Sequence, residues 1–139
     1  MSGLVERLRT GTHEQTVGLL FEVQEAVKPE PRLSNQSLRE DMLALAKWKD
    51  WSHVFNSLLA IGTPEACVGA AMMLVPTDGS MNMLEVSLAW EPSDGAVWPA
   101  GIVRWYPPRC DGDNWHVRTE TASTAALALA AAIMETRNV

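Results

Sequence analysis

An α+β fold, a small antiparallel sheet covered by helices as an α-β-α sandwich, is what this sequence of 139 residues predicts. Three observations carry that reading. Strand-like runs at 83–91, 100–106 and 115–121 follow one another with turn signals between them. A short helix pattern at 63–74 stands just before them, and an alanine-rich segment at 123–137 comes just after. Residues 52–139 then form an α-β-β-β-α unit preceded by a helical region at 1–51, the two making one compact domain of ordinary size.

The first helix is predicted from Thr12, an N-cap with Gln15 at the reciprocal capping-box position. Val17, Leu20, Phe21, Val23 and Val27 supply its apolar stripe, and Pro29 and Pro31 end it. Ser34 or Asn35 caps a second helix through Leu38, Met42, Leu45 and Ala46, with 39–41 on its wet side, running out near 47–51. Trp48 and Trp51 lie three apart there, as a hydrophobic cap on the sheet or as an oligomer contact. The segment 52–62 is ambiguous; Val54, Leu58 and Ile61 suit a helical turn or two.

Thr63-Pro64-Glu65 is the clearest helix start: a threonine cap, a proline at the first helical position, and a carboxylate at the positive end of the dipole. Val68, Ala71, Met72 and Val75 are its expected buried side. In the first strand Leu84, Val86, Leu88 and Trp90 alternate with Glu85, Ser87, Ala89 and Glu91, a half-buried pattern. Ser93-Asp94-Gly95 signals a hairpin, Pro107-Pro108 stops the second strand, and 110–114 turns into the third. The last helix starts between Thr121 and Thr124, and its alanines allow a close approach to a sheet or another helix. The 63–74 helix and this one are expected to cover the sheet. Residues 125–134 are apolar or small on nearly every side, more than one sheet face buries, so a homo-oligomer is expected.

A net charge of −6 argues against binding long nucleic acid, which needs a basic face to release counterions, though not against a small anion in a local basic pocket. The opening residues lack the apolar core of a signal peptide, and 125–134 is too short to span a membrane, so a soluble, intracellular protein is expected. Cys67 reads as a buried free thiol and Cys110 as a loop residue, with a disulfide between them the lesser alternative because nothing suggests secretion. His13, His53 and His116 have no zinc spacing, and no glycine-rich phosphate loop exists. Cys110 and His116 are the only nucleophile–base pair close in sequence, with nothing to orient the histidine. No catalytic residue, metal or cofactor is expected.

Arg104, Trp105, Tyr106, Arg109, Trp115, His116 and Arg118 form the densest group of cationic and aromatic residues. Arginine forks grip phosphate and aromatic faces stack on bases, which suits a small nucleotide. Alternation puts His116 and Arg118 on one side of the sheet, with Trp115 and Val117 on the other. The competing account makes Trp105 and Trp115 core residues and the arginines a solvated strand face pairing with Glu85, Glu91 or Glu120.

Pro64-Glu65-Ala66, the run 70–76 leading into 84–90, and the run 122–133 together resemble the phage-encoded α-β-α ("ABA") sandwich family of small bacteriophage and prophage proteins. The last run is similar to that family's "A-T-P-A-L-A-L" helix start, with Ala125 where proline is usual. The likeness covers roughly 52–137; the N-terminal part departs from the pattern. It implies a phage accessory protein in the host cytoplasm. A branch of similar fold, the Thoeris anti-defence sponges, implies a sharper role: a non-enzymatic, oligomeric binder that sequesters a cyclic ADP-ribose or cyclic oligonucleotide immune signal. The alternatives are an acidic inhibitor of a host defence complex and an accessory or structural phage protein. Acidic residues spread along the chain rather than gathered in one run weigh against mimicry of DNA.

Overall fold

The computed structural model describes residues 2–33, 37–77, 81–88, 101–106 and 117–137. Among these residues five α-helices and three strands appear in the order α1 (Ser2–Thr10), α2 (Thr16–Val27), α3 (Leu38–Ile61), α4 (Pro64–Met73), β1 (Asn82–Leu88), β2 (Gly101–Tyr106), β3 (Arg118–Ala122) and α5 (Ala125–Arg137). The strands form one antiparallel sheet in the order β1-β2-β3. The α+β class and the sequential antiparallel sheet against helices are thus as expected.

The layering turns on α5. Thr124 caps it, accepting from the Leu127 N–H at 3.2 Å. Its small side chains let it lie on β2 and β3 while α1, α2 and α4 pack around its other sides. Every residue from Ala125 to Ile133 is buried, so a helix with apolar residues all round is enclosed within one chain. The surplus surface on which a homo-oligomer was expected is therefore used internally. The expected cover from the 63–74 helix is corrected in the same way: α4 packs on α5 and α3, behind α5 as seen from the sheet.

Several local expectations also change. Helix α1, which the sequence reading did not anticipate, contributes Val5 and Leu8 to the core. The capping-box residue Gln15 does accept from the Thr12 N–H at 3.0 Å, but a 3₁₀ turn at His13–Gln15 precedes α2. The buried stripe of α2 is Thr16, Leu19, Leu20, Val23 and Gln24, leaving Val17 and Phe21 exposed. Its two polar members are satisfied locally: the Thr16 hydroxyl donates to the Thr12 carbonyl and the Gln24 amide to the Lys28 carbonyl. Ser37, not Ser34 or Asn35, caps α3 by accepting from the Glu40 N–H. Helix α3 then runs unbroken through 52–61, across the expected boundary at 51/52, and stops at Gly62 in the left-handed region at φ 73°. Only Ser52, Phe55 and Leu59 on it are buried.

Thr63 caps α4 as expected, accepting from Ala66 N–H at 3.2 Å. The buried side is Ala66, Cys67, Ala70 and Ala71, with Met72 exposed. In β1 the register shifts between Met83 and Glu85, a bulge that leaves Leu84 half exposed and turns Met83 and Val86 inward. Simple alternation through Leu84 therefore fails. The residues around the Ser93-Asp94-Gly95 hairpin and Trp90 lie outside the described set.

Candidate functional site

Strand β2 places Gly101, Val103 and Trp105 against the helices, and Ile102, Arg104 and Tyr106 on the other face. Strand β3 pairs Arg118 with Trp105, Thr119 with Arg104, Glu120 with Val103 and Ala122 with Gly101. Arg118 thus shares the helix-side face with Trp105, and its guanidinium carbon stands 5.9 Å from the Trp105 ring centroid. Arg104 is on the opposite face, 3.5 Å from a Glu85 carboxylate oxygen, with both side chains about half exposed. The sequence grouped these residues by nearness along the chain; the pleat separates them.

Three of the seven candidate residues, Arg109, Trp115 and His116, lie outside the described residues. Of the other four, Trp105 is core, 1% exposed, so its ring offers no face for a base to stack on. That corrects its expected stacking role. Arg104 and Tyr106 are brought together on the outer face and Arg118 is left with Trp105 on the inner one. Among the described residues the buried Trp105 Nε1 donor has no hydrogen-bond partner, a defect worth about 1–3 kcal/mol until an acceptor reaches it.

Sequence reading missed a second charged centre. Arg9 on α1 forks onto Glu120 with bonds of 3.0 and 2.8 Å, and also reaches Glu135 at 2.9 Å and Glu6 at 2.8 Å. Glu120 points inward and is buried. Its hydrogen bonds to Arg9, more than any other contact, push the guanidinium pKa up, so Arg9 stays charged at any working pH. The cluster ties α1 to β3 and α5. Its signal was there to read: Glu120 alternates with inward Ala122, and an inward carboxylate needs a cation.

An open groove of about 630 Å³ lies along α1 and α2, lined by Arg7, Thr10, Thr12, Glu14, Gln15 and Glu22 among others. Arg7 forms an ion pair with Glu22 there. Glu14 is held below its usual range, first by its own backbone N–H and then by Thr12. With its cation neutralised and a second carboxylate beside it, the groove is acidic and unsuited to phosphate.

Trp48 and Trp51 meet neither the sheet nor open solvent alone. Trp48 Nε1–H donates to the Lys28 carbonyl at 3.0 Å, Lys28 Nζ lies 4.6 Å over the Trp51 ring, and Trp51 stacks on Phe55 at 5.1 Å. Among the described residues no group of three His, Cys, Asp or Glu side chains is placed to hold a metal ion, and no helix is long and apolar enough to cross a membrane. No family model, no curated protein and no solved structure matches this chain.

Proposed function

We propose that this chain is a non-enzymatic binder of a small anionic nucleotide, with Arg118 as its phosphate-gripping group, and that it acts as a phage anti-defence sponge in the host cytoplasm. The observation that carries the reading is the Arg118–Trp105 pair. An exposed guanidinium sits over an aromatic ring at the end of two paired strands, beside a buried indole donor that has no acceptor among the described residues. The ring restrains the arginine from one side and leaves its fork for an oxyanion. Arg109, Trp115 and His116 are close to it in sequence and complete the proposed ligand set; Arg104 and Tyr106, on the other face, do not share that ligand.

The test is a thermal-shift screen against cyclic ADP-ribose isomers and cyclic oligonucleotides. A ligand that binds the native state at a hundredfold excess over its Kd adds about 2.7 kcal/mol of stability. A clear rise in melting temperature with one of these, and recovery of that ligand chemically unchanged, is the expected result. No rise with any of them removes the proposal.

A further inference from the structure

We propose that the outer face of α3 binds a second copy of this chain, helix against helix and antiparallel. The proposal goes beyond the nucleotide reading and does not depend on it. At 3.6 residues per turn, Arg39, Leu43, Ala46 and Asp50 fall on one face, spaced by four, three and four residues. That face is opposite the buried stripe of Ser52, Phe55 and Leu59, and all four of its residues are exposed. No residue between 38 and 51 is buried, and Leu43, 54% exposed, is the large apolar side chain at the centre of that face, with Met42, 59% exposed, on its flank. Among the described residues, nothing covers this face of the helix.

The charges name the occupant. Along the exposed half the order is Arg39, Glu40, Asp41, then an uncharged centre from Met42 to Ala46, then Lys47, Lys49, Asp50. Turned end for end on itself, this pattern is complementary. When Leu43 faces Ala46 of the second copy, Arg39 faces its Asp50, and Glu40 comes beside its Lys47 on the same flank. A two-fold axis makes each of these pairs twice. A parallel pairing in register sets every charge against its like, and sliding the antiparallel pair so that 39 meets 61 brings Asp50 against itself. The small Ala46 lets the backbones approach where Leu43 inserts. The contact spans about 12 residues, or about 18 Å of helix. That is short of the ~800 Å² per partner of a standard interface, so the dimer is a weak one, in the micromolar range.

Sedimentation equilibrium of the full chain, from low micromolar to near-millimolar concentration, tests it. A monomer–dimer equilibrium is expected for the parent. Leu43→Glu puts two carboxylates at the centre of the contact and is expected to give monomer throughout. Arg39→Asp and Asp50→Arg should each raise the dimer dissociation constant by about tenfold or more, and the double variant should return it to within about threefold of the parent. All these positions are exposed, and circular dichroism should confirm that each variant keeps its fold. A parent that stays monomeric over the whole range overturns the proposal. So does a dimer that Leu43→Glu leaves intact, or whose charge reversals show no rescue when combined, because the copies would then pair through another surface.

Discussion

Gly101 lies directly beneath Ala125: a Cβ added to the glycine would stand 2.2 Å from the Ala125 Cα and 2.2 Å from its nitrogen. The atoms in the way are backbone, so no side chain can swing aside. This contact joins the start of β2 to the start of α5 and sets how closely the central helix sits on the sheet. Gly101→Ala should cost at least about 1–3 kcal/mol, the usual range for overpacking, and lower the urea midpoint accordingly. Gly69 in α4 is the control: its added Cβ would meet Leu58 at an ordinary 3.6 Å. Gly69→Ala should raise stability by about 0.5–1 kcal/mol through helix propensity. Equal effects from the two substitutions would mean that α5 does not sit where described.

The Arg9 cluster makes a different demand. Removing the cation leaves the buried Glu120 carboxylate without its fork, and Glu135 without the guanidinium it meets. Arg9 is about one-third exposed, so water screens part of the loss. Arg9→Met should destabilise by about 1–3 kcal/mol. Glu120→Gln in the same background should recover part of it, because the uncompensated charge is gone. Denaturant unfolding of both variants and the double variant closes the cycle, and full additivity would show that the two residues do not interact.

Cys67 gives a pH signature. Burial in α4 pushes its thiol pKa up, because the thiolate is the form that loses water. A group whose pKa is higher in the folded state stabilises the fold fully below its unfolded value, about 8.5 for cysteine. That contribution is lost as the pH climbs above 8.5 towards the folded value. In a Cys110→Ser background, then, the stability gap between Cys67 and Cys67→Ala should be constant up to about pH 8. It should shrink in favour of the variant between about pH 8.5 and 10. A gap independent of pH over that range would show that the thiol is not held neutral by the fold.

How much of this was readable beforehand follows from where the physics is local. The strand order and the buried last helix were legible because period-two alternation and a run of small residues are properties of short windows. The extent of α3 was not, because only Ser52, Phe55 and Leu59 on it are buried, too sparse a stripe to mark 52–61 as helix. The bulge at Leu84 was hidden because an extra residue in a strand leaves no mark in composition. At the candidate site, Arg104 and Arg118 looked like one cluster along the chain. Their opposite faces follow from the register of β2 with β3, a non-local fact. The need for a cation beside Glu120 was readable from alternation, but its identity as Arg9, 111 residues away, was beyond any window.

That separation of the arginines sharpens the ligand test. A ligand held on the Trp105 side depends on Arg118 and not on Arg104, whose partner is Glu85. The most direct measurement is calorimetric titration of the nucleotide that gives the largest thermal shift into the parent, Arg118→Ala and Arg104→Ala. Truncating one partner of a desolvated charged hydrogen bond costs about 2–5 kcal/mol. The account therefore expects Arg118→Ala to weaken binding by at least about thirtyfold and Arg104→Ala to leave it within about threefold of the parent. Binding that survives Arg118→Ala unchanged, or a ligand that comes back cleaved, would contradict it.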